Sequence, residues 1–161
     1  MELRIRPVTV GDVKPLVELT LQAFAPNFES FREILGPAIY RHIWPDWQTG
    51  QRSAVEAMCA DRVKYDVLVA EVDQRPIGFA AYTVDSKRKT GEIQLIAVHP
   101  ERQKHGIATE LCRHALRAME ARGMTFARVE TGADPSHAAA RRAYEKAGFV
   151  GLRLVRYFKT L

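Results

Sequence analysis

The chain has little cysteine and no long apolar run, and both scarcities narrow the classes of protein to which it can belong. Among its 161 residues only Cys59 and Cys112 are cysteines, and neither has metal-ligand spacing or a nearby histidine pattern. No metal site is expected, and both side chains are expected to be small apolar fillers on helices. No apolar segment approaches the length of a membrane span or of a signal-peptide core. A cytoplasmic location with no membrane partner is therefore expected.

Two common nucleotide-binding motifs are also missing. The sequence contains neither G-x-x-x-x-G-K-[ST], which marks a phosphate-binding loop, nor the G-x-G-x-x-G of dinucleotide-binding folds. The net charge of +5 and the pI near 9.4 indicate an anionic partner. The cations are spread along the chain, with one cluster at Lys87–Lys89, rather than gathered in the patch or stripe of a nucleic-acid binder. No nucleic-acid partner is therefore expected.

The length and the pattern of apolar residues predict a single domain that covers residues 1–161. Period-two alternation predicts six strands: Leu3–Val8, Asp66–Val72, Ile77–Val84, Glu92–Val98, Thr125–Thr131 and Val150–Phe158. Helical spacing and caps predict the helices Asp12–Ala23, Phe28–Ile43 (interrupted at Gly36), Thr49–Ala60, Ile107–Gly123 and Ser136–Ala147. The short connections in the middle of the chain favour antiparallel neighbours. The fold class is therefore α/β or α+β, a mixed sheet with helices on its faces.

The segment "LIAVHPERQKHGIATELCRHAL" (95–116) joins a strand, a basic loop and an amphipathic helix. The N-terminus of a helix carries unpaired backbone N–H groups and partial positive charge. The small residues Gly106 and Ala108 would let phosphates approach those groups, and Lys104 and His105 add charge or donors. The segment predicts a pyrophosphate cradle, with an ordinary strand-to-helix turn as the alternative.

The order of several motifs resembles the GCN5-related N-acetyltransferase (GNAT) family. "LIAV", a Gln-x-x-Gly-x-Ala loop, a helix, "ARVET" and "RRAYEKAGF" follow one another between residues 92 and 149, and the start "IRPVTVGD" is also similar. The resemblance implies a GNAT-like, mostly antiparallel sheet of about six to seven strands flanked by helices. It also implies that acetyl-CoA is the cosubstrate and that its acetyl group is transferred to an amine.

The resemblance also assigns roles to individual residues. The family's pyrophosphate-binding amides correspond to the loop residues Gln103, Lys104, His105, Gly106, Ile107 and Ala108. The strand backbone that pairs with the pantetheine arm and polarises the thioester carbonyl corresponds to Ile96, Ala97 and Val98. Tyr144 corresponds to the acid that protonates the leaving thiolate. His137 stands where the family often has an asparagine that contacts CoA, and it is assigned to the cofactor for that reason.

Attack on a thioester needs a neutral amine, and a lysine-like amine with a pKa of about 10.4 is almost wholly protonated at pH 7. A general base typically contributes about 100- to 10,000-fold. Glu130 is the first candidate, because its placement is similar to that of the base in ribosomal-protein alanine N-acetyltransferases. Glu92 is the second candidate. Two structural alternatives stay open, in which Glu130 is an exposed residue paired with an arginine and Tyr144 is a packed aromatic.

The segment from Phe24 to Trp47 is rich in aromatic residues and is expected on the acceptor side. It contains Phe24, Phe28, Phe31, Tyr40, Trp44 and Trp47, which predict an apolar acceptor wall, a helix core or a homodimer contact. Glu29 and Asp46 are candidate anchors for a cationic acceptor. The expected reaction is acetyl transfer from acetyl-CoA to a small-molecule primary amine by direct attack in a ternary complex. The alternatives are a peptide or protein N-terminal acetyltransferase and a non-catalytic acetyl-CoA-binding module.

Overall fold

Five strands form one sheet in the computed structural model, which describes residues 2–161. Their order in the sheet follows the chain. The first four strands pair antiparallel, and the fifth pairs parallel with the fourth. The strands are β1 (Arg4–Pro7), β2 (Asp66–Val72), β3 (Arg75–Asp85), β4 (Thr90–Val98) and β5 (Phe126–Val129). The predicted antiparallel meander of β2, β3 and β4 is confirmed.

Four α-helices cover the two faces of the sheet. They are α1 (Val13–Ile43), α2 (Trp47–Ala60), α3 (Ile107–Ala121) and α4 (Ala138–Lys146). On one face, buried Leu16 of α1 and Val55 of α2 pack with Phe79 of β3. On the other face, Leu111 of α3 packs with Ala80, and further along α3 a second group with Tyr82 and Ile93 receives Tyr144 of α4. Burial of these apolar side chains on both faces holds the layers together.

Asp12 occupies the N-cap position of α1, as the sequence predicts, although its carboxylate bonds to residues that precede the helix and does not cap it. The backbone N–H of Thr9 donates a hydrogen bond of 2.7 Å to the Asp12 carboxylate, and Arg6 donates two more, of 2.7 and 2.9 Å. The sequence predicts two separate helices with a break between Ala23 and Phe28, and this is wrong. Helix α1 continues through Pro26 to Ile43 with one non-helical residue, Gly36 (φ 75°). Tertiary contacts made by the residues that follow the proline hold the helical path there.

The predicted strand Val150–Phe158 is absent, so the expectation of about six to seven strands is wrong and the described sheet has five. Residues 150–161 have no regular secondary structure and are all exposed. The reason is that a strand needs a neighbour to accept and donate its ladder hydrogen bonds. The alternating pattern of this segment is strand-like, yet nothing in residues 2–161 pairs with it.

Candidate active site

The parallel pairing of β4 with β5 ends partway along β4, and we call the space beside the unpaired part of β4 the crevice. The two strands pair only from Thr90 with Phe126 to Ile93 with Val129. At the next residue, Gln94, the register between β3 and β4 shifts, because Ala81 faces Leu95 whereas Tyr82 faces Ile93. Such a bulge bends the strand that carries it. From Gln94 to Val98 the far edge of β4 therefore has no strand partner among the described residues.

The predicted pantetheine-binding residues lie on this open edge. Ile96, Ala97 and Val98 pair with β3 on one side, and no strand pairs with their other side, where the carbonyl oxygen of Val98 accepts a hydrogen bond of 3.1 Å from Gln103. Ala97 and Val98 are buried, and Ile96 is half-buried. Backbone N–H and C=O groups on an open edge are ready to pair with an extended ligand. The structure therefore brings three of the predicted cofactor residues together in a geometry that suits their expected role.

The loop that follows β4 leads directly to the N-terminus of α3. A short 3-10 turn spans Pro100–Arg102, and α3 begins at Ile107. Lys104 (φ 66°) and Gly106 (φ 80°) adopt the left-handed conformation that turns the backbone into the helix. The first amide that donates within α3 belongs to Glu110, 3.0 Å from the carbonyl oxygen of Gly106. The three preceding amides, of residues 107–109, point out of the helix end.

The surface of this loop suits an anion. Lys104, His105 and Gly106 are exposed, and a Cβ atom built on Gly106 would meet no atom within 4 Å. The open space lies over the positive end of the α3 dipole. His105 is held by its Nδ1 atom, 2.8 Å from the carbonyl oxygen of Gln103. The residues predicted to hold the pyrophosphate therefore surround an open, electropositive helix N-terminus.

Tyr144 lies beneath α3, in the half of the core that α4 covers. Its ring packs with Cys112 and stands edge-on to Phe149, with the ring centroids 6.1 Å apart. Its hydroxyl makes no hydrogen bond within residues 2–161, and it is not a buried unpaired atom, so it reaches a surface. Burial, and to a lesser degree the neighbouring Cys112, raises the pKa of Tyr144 above its ordinary value. The hydroxyl therefore stays protonated and available as a donor.

The two candidate glutamates differ in their surroundings. Glu92 of β4 is half-buried and accepts a hydrogen bond of 2.8 Å from Arg128, directly opposite on β5. Glu130 follows the last residue of β5, is exposed, and has no ion pair within 4 Å in the described part of the chain. The arginine pairing considered for Glu130 is therefore made by Glu92 instead.

His137 belongs to a polar cluster that the sequence analysis missed. Its Nδ1 atom lies 2.6 Å from Oδ1 of Asp134, and the other carboxylate oxygen of Asp134 accepts hydrogen bonds from the backbone N–H and the hydroxyl of Ser136. Burial would raise the pKa of the Asp134 carboxyl, but the hydrogen bonds from Ser136 and His137 outweigh it and lower the pKa. The signal for Asp134 was present in "DPSH", an acidic cap before a proline at a helix start.

Helix α1 supports this cluster from the other side. Ser30 donates a hydrogen bond of 3.2 Å to Asp134, and Asn27 donates one of 3.1 Å to Ser136. The ring of Phe31 stacks on that of His137, with centroids 5.5 Å apart and planes at 21°. Residues 27–31 therefore fix the segment that precedes α4.

The aromatic residues of the N-terminal region form a packed cluster for the most part. Phe28 is buried and stacks on Trp47 (4.4 Å between centroids), while Phe31 stacks on Trp44 (4.8 Å). Tyr40 joins this cluster through Trp44, whereas Phe24 packs against the main core. An open depression of about 290 Å³ lies over Trp44 and Trp47. The cluster thus combines a helix core with one exposed apolar surface.

Both candidate anchors for a cationic acceptor have local partners. Asp46 caps α2 by accepting a hydrogen bond of 3.1 Å from the backbone N–H of Thr49. Glu29 pairs with Arg32 on the same helix. Glu29 is paired with a cation and the Asp46 carboxylate is engaged in capping, so neither is free to anchor a cationic acceptor without giving up its partner.

Residues 2–161 contain neither a candidate membrane span nor a candidate metal cluster. The helices there include none of the length and apolarity that a membrane span requires. In the same residues, no three His, Cys, Asp or Glu side chains are grouped so as to hold a metal ion.

Comparison with known proteins gives a family and a fold. The sequence profile described as the acetyltransferase (GNAT) family matches residues 36–149. The chain is 33% identical over 82 residues to the mycothiol acetyltransferase of Streptomyces coelicolor. That alignment covers 51% of this chain and 26% of the relative, so the chain matches about a quarter of the relative's length.

Solved structures extend the likeness to nearly the whole chain. The PaiA N-acetyltransferase of Thermoplasma acidophilum, in complex with coenzyme A, has a TM-score of 0.72 at 18% identity, covering 93% of this chain and 91% of that one. An aminoglycoside antibiotic 6'-N-acetyltransferase of Acinetobacter haemolyticus has a TM-score of 0.66 at 18% identity, covering 98% of both. At these identities the structural likeness concerns the fold.

Proposed function

The chain belongs to the GNAT acetyltransferase family, and from that premise we propose that it transfers the acetyl group of acetyl-CoA to the primary amine of a small molecule. One observation carries the proposal. The open edge of β4, residues 94–98, leads through the loop of residues 99–106 to the unpaired amides at the N-terminus of α3. An extended thiol-bearing arm and a pyrophosphate, joined in one molecule, match these two neighbouring surfaces.

The loop residues would hold the phosphates. The amides of residues 107–109 and the α3 dipole attract a pyrophosphate, and the charge of Lys104 adds to that attraction. Gly106 leaves the approach open, because nothing lies within 4 Å of the position that a Cβ atom would occupy. The backbone of Ile96, Ala97 and Val98 would pair with the pantetheine arm. A backbone N–H on the same edge would stabilise negative charge on the thioester oxygen during attack.

The transfer itself forms one bond and breaks one. The amine nitrogen attacks the carbonyl carbon of the thioester, the C–N bond forms and the C–S bond breaks. Tyr144 supplies the proton that the leaving thiolate takes, a role supported by a hydroxyl with no hydrogen-bond partner in the described structure. Of the two glutamates predicted as base, Glu130 is the freer, since Glu92 pairs with Arg128.

Direct attack is favoured over an acetylated enzyme. An acyl-enzyme would need a reactive thiolate, and thiolates form at exposed, electropositive sites. Burial raises the pKa of the Cys112 thiol to about 11 and also raises that of Cys59. Both thiols are therefore protonated and enclosed at neutral pH, which supports a ternary complex.

A small acceptor is supported by the surroundings of the crevice. Glu130 is exposed at the carboxyl end of β5, where it would attract a protonated amine. Acetylation of a peptide N-terminus and acetyl-CoA binding without turnover are the competing functions.

Calorimetry with acetyl-CoA and with S-acetylpantetheine tests the cofactor part of the proposal. The two probes share the thioester and the pantetheine arm, but only the first carries the pyrophosphate. We expect micromolar affinity for acetyl-CoA and affinity at least about tenfold weaker for S-acetylpantetheine. A tenfold loss of affinity corresponds to about 1.4 kcal/mol of binding free energy from the phosphate contacts. Equal affinities, or no binding of either probe, would contradict the assignment of the loop.

Thiol release with three acceptors tests the substrate class. Neamine, 2-phenylethylamine and an alanine-initiated peptide represent a polycationic amine, an aromatic amine and a protein N-terminus. Turnover with a free amine and not with the peptide is expected. Turnover with the peptide alone would replace the proposed function with N-terminal acetylation, and tight acetyl-CoA binding without turnover would indicate a binding module.

A further inference from the structure

We propose that His137 accepts the proton of the acceptor amine at its Nε2 atom, with Asp134 as the residue that positions its ring. This inference rests on the proposed acetyl transfer and replaces the glutamates as the base. The sequence assigned His137 only to cofactor contact, as a substitute for an asparagine. Three features of the structure point to the different role: the orientation of the ring, its support, and its place beyond the carboxyl end of β5.

The orientation of the ring leaves Nε2 as the acceptor. Nδ1 lies 2.6 Å from Oδ1 of Asp134. An ionised carboxylate only accepts hydrogen bonds, so in the neutral ring the proton resides on Nδ1 and Nε2 carries the free lone pair. Nε2 makes no hydrogen bond within residues 2–161, and no buried side-chain nitrogen there lacks a partner, so Nε2 reaches a surface.

The support of the ring is extensive. Asp134 accepts hydrogen bonds from Ser136 and Ser30, and its backbone carbonyl accepts one of 2.8 Å from Arg141. Phe31 stacks on the imidazole. A Cβ atom on Gly132 would lie 2.6 Å from Nδ1, so only glycine leaves room for the ring in this position. A side chain that merely replaced asparagine in a cofactor contact would not need such a fixed tautomer.

The order of the elements places His137 beyond the carboxyl end of β5, the strand whose pairing with β4 ends at Val129. In sheets with parallel strands, ligands bind beyond the carboxyl ends of the strands. The carboxyl end of β4 leads to Gly106, immediately before α3, and that of β5 leads to His137, immediately before α4. The two residues thus occupy equivalent positions after the two parallel strands.

The chemistry also favours an imidazole. Histidine is the side chain whose ordinary titration lies near neutral pH, where a general base is most effective, whereas carboxylates titrate about two units lower. In the proposed step Nε2 takes one proton from the protonated amine, and the neutral nitrogen then forms its bond to the thioester carbon. The resulting imidazolium is balanced by the Asp134 carboxylate. The C–S bond breaks, the thiolate takes the proton of Tyr144, and the second proton that the nitrogen loses returns to the Tyr144 oxygen.

Two acceptors that differ in their need for a base test the proposal. Ethylamine is almost wholly protonated at pH 7, whereas hydroxylamine is neutral there and needs no prior proton removal. We expect His137→Asn to lower kcat with ethylamine by about 100-fold, in the range of general-base effects. The same variant should keep its KM for acetyl-CoA and change the hydroxylamine rate by less than about threefold.

Asp134→Asn should reproduce this pattern more weakly, because it releases the ring without removing it. The matched control is His114→Asn, which removes another histidine whose Nδ1 is held, 2.9 Å from the carbonyl oxygen of Glu110. Equal losses with both acceptors, or no loss with either, at unchanged acetyl-CoA affinity would overturn the proposal. Failure of the wild-type protein to bind acetyl-CoA would instead overturn the proposed function.

A measurement of the histidine tautomer needs no acceptor. In protein labelled with 15N-histidine, we expect neutral His137 to carry its proton on Nδ1, and Asp134→Asn to lose this preference. A wild-type ring protonated on Nε2 could not accept the amine proton there, and that result would overturn the proposal even if no tested amine were acetylated.

Discussion

The side-chain amide of Gln103 donates a hydrogen bond of 3.1 Å to the carbonyl oxygen of Val98, the last residue of β4. This bond joins the two surfaces proposed to receive acetyl-CoA, the open strand edge and the loop before α3. The loop leaves β4 after Val98, and the side chain of Gln103 reaches back to the end of the strand. The amides proposed to face the phosphates are therefore positioned relative to the strand by one side chain.

Gln103→Glu should lower the affinity for acetyl-CoA by more than tenfold. A carboxylate cannot donate to the carbonyl oxygen of Val98, and its charge would repel the pyrophosphate. Loss of the hydrogen bond should cost about 1 kcal/mol of unfolding free energy. Calorimetry and urea unfolding measure the two effects. Gln48→Glu, which adds the same charge on the exposed surface of α2, is the control and should change neither. An unchanged affinity in Gln103→Glu would show that this loop does not hold the phosphates.

Gly106→Ala should destabilise the protein although there is room for the added methyl group. Gly106 has φ 80°, a conformation that costs an alanine about 1 kcal/mol. No atom lies within 4 Å of the position of the added methyl group, so the loss of stability would come from the backbone conformation alone. Acetyl-CoA affinity should also fall, because relaxation of the backbone would redirect the amides.

Gly50→Ala is the matched control for that variant. Gly50 lies in α2 and also has nothing within 4 Å of a Cβ position, but its φ is not in the left-handed region. Alanine is the better helix former by up to about 1 kcal/mol. The control should therefore be neutral or slightly stabilising, with unchanged acetyl-CoA affinity. Equal behaviour of the two variants in urea unfolding would refute the role given to the backbone of Gly106.

Tyr144→Phe should lower kcat by about 100-fold, within the range of general-acid effects, while leaving acetyl-CoA affinity intact. The hydroxyl makes no hydrogen bond inside the described protein, so its removal should cost no more than about 0.5 kcal/mol of stability. Because burial raises the pKa of Tyr144, the rate of the wild-type enzyme should persist above the pH at which an ordinary tyrosine ionises. Tyr157→Phe, at an exposed tyrosine, is the control. Full activity in Tyr144→Phe would leave the ring with a packing role only.

Local pattern was enough to predict much of the fold and the position of the loop before α3. Period-two alternation located β2, β3 and β4, and the small residues with nearby charge located the N-terminus of α3. These features depend on residues close together in the sequence. The bulge at Gln94 was not predicted, because it depends on the register between two strands.

The predictions that failed concern contacts between residues that lie far apart in the sequence. Asp134 and His137 were not linked, since their cluster is completed by Ser30 and Phe31, more than 100 residues earlier. The pairing of Arg128 with Glu92 rather than Glu130 follows from the parallel register of β4 and β5. The predicted strand at 150–158 had the right local pattern but no neighbour with which to pair.

The ion pair between Arg6 and Asp12 should make stability depend on pH in the acidic range. The Arg6 guanidinium lowers the pKa of the Asp12 carboxyl to about 2, against burial, which acts to raise it. In the unfolded chain an aspartate titrates near about 3.9. The contribution of a carboxyl with a lowered pKa is complete above the unfolded value and is lost as the pH falls through the folded value. Asp12→Asn should therefore cost about 1 to 2 kcal/mol at pH 7 and almost nothing at pH 2, as measured by urea unfolding. A difference from wild type that stayed constant from pH 7 to pH 2 would contradict this account.

The C-terminal segment 150–161 should exchange its amide hydrogens far faster than the sheet. It exposes seven large apolar side chains and has no regular secondary structure, so its backbone groups are not held in a ladder. Hydrogen exchange followed by mass spectrometry should show complete labelling of this segment within seconds, while peptides from β2 and β3, at the centre of the core, stay protected for the longest times. Peptides from α2, a helix with several exposed residues, provide an intermediate reference. Slow exchange at all protein concentrations would mean that the segment pairs within its own chain after all. Protection that grows with concentration would mean instead that the strand predicted from the sequence forms against a second copy.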